Sequence, residues 1–295
     1  MKHHLITAAI AALVAFGIGY LPKSTNEHKI VSEKITSQPE KTESAYARVM
    51  RTQTLRCGYT LYAPMLSKDP NTGEMSGIAA DVINAVAKSL DLKVEWTAEF
   101  GFATAVSDME AGRFDLACIG YWRLPLEAKR LTYTQPFLYS QMNPYVRADD
   151  MRFDGDYKKI NDPSVRIISA DGQMSSTVAR TEFPKAQLYE LPNMTSISQQ
   201  MEEVASGKAD IVMDEPAAAE DYMVRNPDKL RKVEAPYPLR VFQDTFALKM
   251  GENDLKTMLD SALIDIIENG EMDKILQKYD PENKIFKRVA KGYQP

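Results

Sequence analysis

A short motif occurs twice in this chain and constrains its fold more than any other feature of the sequence. Residues 109–116 read MEAGRFDL and residues 204–211 read VASGKADI, so each copy runs from a helix end through glycine, a basic residue and aspartate into an apolar strand. Gly112 and Gly207 can adopt the left-handed conformation that ends a helix, and the basic residue after each complements the negative end of the helix dipole. Two unrelated helix ends could share this chemistry by coincidence, but the similar flanks favour a duplicated lobe.

The hydrophobic periodicity around each motif alternates between strand and helix. The first set is predicted to have strands at 54–60, 92–96 and 114–119 and helices at 78–90 and 102–111. The second set is predicted to have strands at 165–170, 187–190 and 209–213 and helices at 175–182 and 195–206. This alternation indicates parallel sheets with helices on both faces.

Ligands of open α/β sheets bind beyond the carboxyl ends of the strands. In the first lobe that edge is predicted at residues 120–123, and in the second lobe at residues 213–216. Two such edges that face each other would form a cleft.

The N-terminus is predicted to be an export signal or a membrane anchor. A short basic start, residues 1–4, precedes an uncharged apolar run at 5–21. Residues 23–50 are rich in Ser, Thr, Lys and Glu and are predicted to be a flexible polar tether. We therefore expect an extracytoplasmic protein, soluble in the periplasm or anchored to the inner membrane through residues 5–21.

Composition and histidine placement exclude several functions. The net charge is −5 and no segment concentrates Lys and Arg, so nucleic acid is not an expected partner. His3, His4 and His28 are the only histidines, and all precede the predicted folded region, which removes Ser-His-Asp catalysis and histidine metal sites. No cofactor or metal is expected. Cys57 and Cys118 lie in apolar strands, where two buried free thiols are the simpler interpretation and a disulfide is the alternative in an oxidising compartment.

Six segments in the correct order resemble family 3 of the bacterial extracellular solute-binding proteins, the amino-acid-binding components of ABC importers. They are TLRCGY at 54–59, YAP at 62–64, GIAADV at 77–82, FDLACIG at 114–120, LTYTQPF at 131–137 and GKADIVMDEP at 207–216. The resemblance implies an α/β, two-lobed periplasmic-binding-protein fold (type II), in which two parallel-core sheets are joined by hinge strands near 142–147 and 241–247.

The resemblance also implies the order of the domains and the partners. The predicted order is a signal peptide or N-terminal membrane anchor at 1–22, the tether at 23–50, lobe 1 at 51–143 and 245–282, lobe 2 at 144–244, and a C-terminal tail at 283–295. The implied partners are a small amine-bearing or amino-acid-like ligand and an ABC permease in the inner membrane. A monomer is expected.

Family positions transfer to this chain one at a time. Tyr62 and Phe102 match the aromatic residues that sandwich the ligand, and Asp214 matches the lobe 2 carboxylate that receives its ammonium group. Gly120 ends the first buried strand, and Trp122 stands where the family has a hydroxyl residue. Gln173 follows the glycine that begins the lobe 2 loop. The sites implied by the resemblance are therefore Tyr62, Phe102, Gly120, Trp122, Glu127, Gln173 and Asp214. Packing in the core or at the lobe rim is the alternative for the aromatic residues, and helix capping is the alternative for Asp214.

The sequence departs from the family at Glu127, which replaces the Arg that clamps the ligand carboxylate. Arg grips a carboxylate with a rigid fork of donors, whereas Glu would repel it. Glu127 could instead complement a helix N-terminus after Pro125. Two carboxylates among aromatic side chains favour a cationic ligand such as a polyamine, a choline-like compound or a basic amino-acid derivative. The alternative is a neutral or zwitterionic amino acid held by backbone N–H groups and Arg123.

The expected function is therefore capture of a small polar ligand for import, without enzyme activity. Two alternatives remain. A dehydratase-like relative would use Glu127 or Asp214 as acid or base, and an accessory protein would dock on a periplasmic dehydrogenase.

Overall fold

The computed structural model describes residues 43–291 and contains eight α-helices and thirteen strands in that range. The first part of this range comprises α1 Ala45–Thr52, β1 Thr54–Tyr59, β2 Ser67–Lys68, β3 Met75–Ser76, α2 Ile78–Ser89, β4 Lys93–Glu99, α3 Ala105–Glu110, β5 Leu116–Trp122 and β6 Leu131–Tyr133. The middle part comprises β7 Leu138–Arg147, β8 Arg166–Ala170, α4 Met174–Glu182, β9 Gln187–Leu191, α5 Ile197–Ala205, β10 Ile211–Asp214, α6 Pro216–Arg225, β11 Leu230–Lys232 and β12 Arg240–Lys249. The last part comprises α7 Asn253–Glu268, α8 Glu271–Tyr279 and β13 Lys287–Arg288. Two short 3-10 helices occur at Glu127–Lys129 and Tyr157–Ile160.

The strand order repeats the same arrangement in two lobes. Along the sheet the order is β4-β1-β5-β12-β7-β10-β8-β9. In lobe 1, β4, β1 and β5 are parallel and β12 is antiparallel beside them; in lobe 2, β9, β8 and β10 are parallel and β7 is antiparallel beside them. This order confirms the two-lobed α/β fold.

The repeated motif makes the same contacts in both lobes. Gly112 and Gly207 have φ values of 71° and 79°, as their predicted role in ending a helix requires. Asp115 accepts hydrogen bonds from the main-chain N–H of Arg56 at 2.9 Å and from its guanidinium, and Asp210 accepts the same pair from Arg166, with the main-chain bond again at 2.9 Å. Each aspartate therefore joins the first and third strands of its lobe, which supports the duplicated unit.

Helix α2 shows how periodicity placed a core element correctly. Ile78, Val82, Ile83 and Val86 are fully buried against the lobe 1 sheet, at the spacing that puts them on one helical face.

Strands β7 and β12 cross between the lobes and are longer than predicted. Residues 138–142 of β7 pair with residues 240–244 of β12, after which β7 pairs with β10, beginning with Asn143 opposite Asp214. In β12, Asp244 lies opposite both Leu138 of β7 and Trp122 of β5. Asp244 therefore lies where the crossing strands join the lobe 1 sheet.

The folded part begins before residue 51, so the predicted tether (23–50) is wrong for its last residues. Ser44 caps α1 by accepting a hydrogen bond from the Ala47 N–H at 3.1 Å, and Val49 is fully buried in the lobe 1 core. The pattern was missed because Val49 is the one buried residue of α1, which is too few for a visible apolar stripe. Residues 1–22 and 23–42, which carry the predicted signal and most of the tether, lie outside the described residues.

The predicted C-terminal tail (283–295) is also wrong as far as residue 291, because this segment packs against lobe 1. Phe286 is buried, and β13 pairs antiparallel with β7 at Leu138 and Tyr139. Asp280 accepts hydrogen bonds from the main-chain N–H groups of residues 284–286 at 2.9–3.0 Å and so fixes the turn that leads to β13.

Cys57 and Cys118 form a disulfide, so the simpler interpretation of two free thiols is wrong. Their Cα atoms are 5.3 Å apart, because β1 and β5 are adjacent parallel strands with Cys57 paired to Leu116. The sequence did not show that the two strands are neighbours. Between residues 43 and 291, no helix is both long and apolar enough to span a membrane.

Candidate functional site

A cavity lies between the lobes at the ends of β5 and β10. It contains about 650 Å³ of space that no atom fills, part of it open to solvent. Its walls are mainly aromatic and methionine side chains, with two carboxylates. The lining residues are Tyr62, Met65, Phe102, Ile119, Gly120, Tyr121, Trp122, Leu124, Met142, Gly172, Gln173, Met174, Ser175, Met213, Asp214 and Glu215.

The cavity wall includes most of the residues that the sequence predicted for the site. Tyr62, Phe102, Gly120, Trp122, Gln173 and Asp214 all lie on it, whereas Glu127 does not. Their part in ligand binding stays a prediction.

The two lobes touch across the cavity. The hydroxyl of Tyr62 in lobe 1 donates a hydrogen bond to the carboxylate of Asp214 in lobe 2. Gly172 has φ +82°, and a side chain there would overlap the main chain of Ala103. The two lobes are therefore close together in this structure.

Trp122 connects the cavity wall to the crossing strands. Its ring stacks on that of Phe242 with centroids 4.2 Å apart and an interplanar angle of 9°. Its indole N–H donates to a carboxylate oxygen of Asp244 at 3.0 Å. Strand β5 continues through Trp122, so the edge predicted at residues 120–123 lies mostly within the strand. Gly120 leaves room for Asp244, since a Cβ at this position would lie 2.5 Å from the carboxylate.

Sequence reasoning missed Glu215 and Asp244, which lie with Asp214 in one buried acidic group. Glu215 is 5% exposed and Asp244 is fully buried. Burial raises the pKa of Asp214 to about 6, even though Tyr62 and the Glu215 N–H donate to its carboxylate. Burial, together with the charges of Asp244 and Asp214, holds the pKa of Glu215 well above its usual range, and burial also raises the pKa of Asp244. The Asp-Glu-Pro segment could have suggested Glu215, but no local pattern indicates Asp244.

Glu127 and Arg123 lie away from the cavity. Glu127 begins a 3-10 helix and accepts a hydrogen bond from the Tyr121 hydroxyl at 3.0 Å, and its burial raises its pKa. It therefore reaches the cavity only through Tyr121, which differs from the edge position that the sequence predicted. Arg123 donates to the main-chain oxygen of Thr134 at 2.6 Å and lies over the Tyr133 ring, so it offers no clamp for a ligand carboxylate.

A second, outer cavity of about 1060 Å³ adjoins the first and shares Tyr62, Phe102 and Gln173 with it. Its wall carries Glu99 and Asp221 and, like that of the inner cavity, no Lys or Arg. Between residues 43 and 291, no group of His, Cys, Asp and Glu has an arrangement suited to a metal ion.

The model of family 3 of the bacterial extracellular solute-binding proteins matches residues 55–282, and the chain belongs to this family. It is therefore an extracytoplasmic solute-binding protein, as the resemblance implied.

Curated relatives include both binding proteins and an enzyme. A probable amino-acid ABC transporter-binding protein of Haemophilus influenzae is 25% identical over 77% of this chain and 85% of its own length. A probable histidine-binding protein of Neisseria gonorrhoeae is 24% identical over 74% of this chain and 79% of its own length. Cyclohexadienyl dehydratase of Pseudomonas aeruginosa is 27% identical over 58% of this chain and 62% of its own length.

Solved structures share the fold. The ancestral amino acid-binding protein AncCDT-1, a precursor of cyclohexadienyl dehydratase, matches with a TM-score of 0.69 and 24% identity over 80% of this chain and 99% of that one. An amino acid ABC transporter substrate-binding protein of Streptococcus pneumoniae, bound to L-arginine, matches with a TM-score of 0.66 and 19% identity. The match covers 78% of this chain and 96% of that one. These likenesses confirm the type II two-lobed fold.

Proposed function

We propose that this protein captures an amine-bearing cation between its lobes and delivers it to an ABC permease in the inner membrane. The observation that carries the proposal is the charge of the cleft. Asp214 and Glu215 line the inner cavity, Glu99 and Asp221 line the outer one, and no Lys or Arg lines either. A ligand anion would meet carboxylates without a compensating donor fork.

The aromatic wall supports a cationic ligand independently of the carboxylates. Four aromatic residues, Tyr62, Phe102, Tyr121 and Trp122, line the inner cavity. A cation over an aromatic face gains about 0.5–2 kcal/mol, more where water is excluded. The proposed binding set consists of Glu215 and the six predicted site residues other than Glu127, which are Tyr62, Phe102, Gly120, Trp122, Gln173 and Asp214.

Four small compounds separate the contribution of ligand charge from that of the ligand carboxylate. L-arginine carries a guanidinium and a carboxylate, agmatine keeps the cation without the carboxylate, L-citrulline replaces the guanidinium by a neutral urea, and L-glutamate adds negative charge. Ligand at about 100 times its Kd stabilises a folded protein by about 2.7 kcal/mol. For a protein of this size that corresponds to a rise in Tm of about 5–10 °C.

We expect arginine and agmatine to raise the Tm, and citrulline and glutamate to leave it unchanged. Asp214→Asn should weaken arginine binding more than about tenfold, because a charge-assisted hydrogen bond contributes about 1.5–3 kcal/mol. Glu74→Gln, at an exposed turn, is the matched control and should bind like the unmodified protein. Tight binding of glutamate, with no binding of any cation, would refute the proposal.

A dehydratase activity is the second candidate, favoured by the dehydratase relative and by buried carboxyl groups that can hold a proton near neutral pH. The same carboxylates oppose a dianionic substrate such as prephenate, so we propose binding without catalysis. Release of phenylpyruvate from prephenate by the purified chain would overturn this choice.

Export and anchoring complete the proposal. Residues 5–21 direct the chain to the periplasm and either are removed or keep it at the inner membrane, and the folded part acts as a monomer made of the two predicted lobes. Fractionation of expressing cells with and without residues 1–22 tests the location.

A further inference from the structure

Three carboxyl groups meet where the lobes join, and only two of them line the cavity. Asp214 ends β10, Glu215 is the residue before α6, and Asp244 lies on the crossing strand β12. Glu215 and Asp244 lie on different elements but share a neighbour, because the Ser140 side chain contacts both carboxyl groups, and both residues are buried. A change of protonation here therefore acts on both the cavity and the hinge.

Neutral donors hold Asp244 in place. The Ser140 hydroxyl, on the other crossing strand, donates to one carboxylate oxygen at 2.6 Å, and the Trp122 indole N–H donates to the other at 3.0 Å. Both oxygens are thus hydrogen-bonded, but neither has a cationic partner. The indole that binds Asp244 is also part of the cavity wall.

The groups that face this pair are acidic or neutral on every packed element. Besides Asp244, the acidic group that acts on Glu215 is Asp214, at the end of β10. The phenol groups of Tyr62 and Tyr145 lie near both Asp214 and Glu215. Glu220 lies farther along α6. Among residues 43–291, no Lys, Arg or His forms an ion pair with any of the three carboxyl groups. The ion pairs in that range all involve other acidic residues. Two neighbouring buried carboxyl groups without a cationic partner lose their second proton only at raised pH.

We infer that Glu215 and Asp244 are a specificity-determining pair that shares a proton in the ligand-free protein and releases it to solvent when a ligand cation enters beside Glu215. Capture is then an exchange of one proton for one cation, and the net charge of the buried group is unchanged. The inference rests on the proposed function, because it requires a cationic ligand.

The exchange has a defined pH dependence. The bound cation stabilises the ionised pair and lowers its pKa below the value in the free protein. Between those two pKa values, binding releases a proton and affinity rises with pH by up to about tenfold per pH unit. Above both values the pair is ionised before binding, and affinity no longer depends on pH. A neutral ligand would release no proton, so the pair selects for charge.

Isothermal titration calorimetry of the full chain with agmatine and L-arginine tests the exchange. Both probes keep their cationic charge near neutral pH, so any released proton comes from the protein. Titrations at pH 7 in phosphate and in Tris, whose ionisation enthalpies differ strongly, should differ by the heat of about half to one proton per ligand bound. Asp244→Asn combined with Glu215→Gln leaves the pair no proton to release and should abolish this difference, whereas Asp244→Asn alone should reduce it. Glu74→Gln, the exposed control, should keep the full difference.

The possible results separate this inference from the proposed function. A cation that binds with equal heat in both buffers overturns the proton exchange and leaves the proposed function intact. Failure of all cations to bind overturns the proposed function. In that case, and also if Asp244→Asn does not fold, infrared spectroscopy of the ligand-free unmodified protein still decides whether the pair holds a proton. A protonated-carboxyl band at pH 7 that is weakened in Glu215→Gln supports the shared proton, and its absence refutes it.

Discussion

Replacement of Arg48 by alanine tests whether helix α1 is part of the folded protein. The Arg48 guanidinium reaches Asp115 with two nitrogens and donates to the main-chain oxygen of Thr54 at 2.9 Å. The carboxylate of Asp115 is almost fully buried, with 1% of its side chain exposed. Arg56 is its second partner, at 2.9 Å.

The expected loss follows from these contacts. Removal of one partner from a buried ion pair costs about 3–5 kcal/mol when the remaining charge has no other partner. Asp115 keeps the hydrogen bonds from Arg56, so we expect Arg48→Ala to lower the free energy of unfolding by less, about 2–3 kcal/mol. For a folded part of this size, that loss lowers the Tm by about 5–10 °C.

Arg51 on the same helix is the matched control. It pairs with Glu43 at 2.7 Å, but 62% of its side chain is exposed, and solvent and salt screen an exposed pair. Urea unfolding should therefore give nearly the same free energy of unfolding for Arg51→Ala and the unmodified protein. A chain that begins at Glu43 should be as stable as a longer one, whereas one that begins at Arg51 should be less stable. If Arg48→Ala and Arg51→Ala have the same small effect, α1 does not contribute to the fold and the polar tether does extend to residue 50.

Three further predictions concern the cleft and the core. Gly172→Ala should clash with the main chain of Ala103, keep the lobes apart and weaken ligand binding, so small-angle scattering at saturating arginine should give a larger radius of gyration than for the unmodified protein. Gly207→Ala, the control, has the same positive-φ strain without a clash and should bind normally. Replacement of Cys57 and Cys118 by alanine should lower the free energy of unfolding by about 4 kcal/mol, as expected for a loop of this length, and an unchanged urea midpoint would contradict a bond in solution. Burial raises the pKa of Asp244 in the folded chain, so above the ordinary pKa of about 4 the folded chain binds a proton that the unfolded chain has lost, and stability should fall as pH rises from there towards the raised folded pKa. Asp244→Asn should flatten this fall, and parallel stability curves for the two proteins from pH 5 to 9 would argue against it.

Local patterns predicted the secondary structure well where a helix or strand has a clear buried face. The lobe 1 helix at 78–90 and the strand at 165–170 were found within about one residue of α2 and β8. The patterns failed at α1 and β13, which attach to lobe 1 by few buried residues and several polar contacts. Periodicity reports how many apolar side chains a segment buries, so it misses elements held by ion pairs and strand pairing.

The predicted site was also most accurate next to strands that local patterns identify. Asp214 and Trp122 lie on the cavity wall, as expected for residues at the carboxyl ends of recognisable buried strands, and their part in binding stays a prediction. Glu127 was misplaced because β5 continues through Trp122 before the chain turns. The partner of Cys57 and the environment of Asp244 depend on which strands are neighbours, and that information is not local in sequence.

The sequence by itself determined the two α/β lobes, the repeated motif with its glycine and aspartate, and the replacement of the family's carboxylate-clamping Arg by Glu127. These properties depend on periodicity, glycine conformation and side-chain charge, all of which act over short distances along the chain. Only the tertiary structure decided that Cys57 meets Cys118, that α1 is attached through Arg48, and that Asp244 joins Glu215 beneath the cavity. Each of these depends on burial and on the meeting of segments far apart in sequence, because a carboxyl group acquires its raised pKa only when the fold removes it from water and places a second charge beside it.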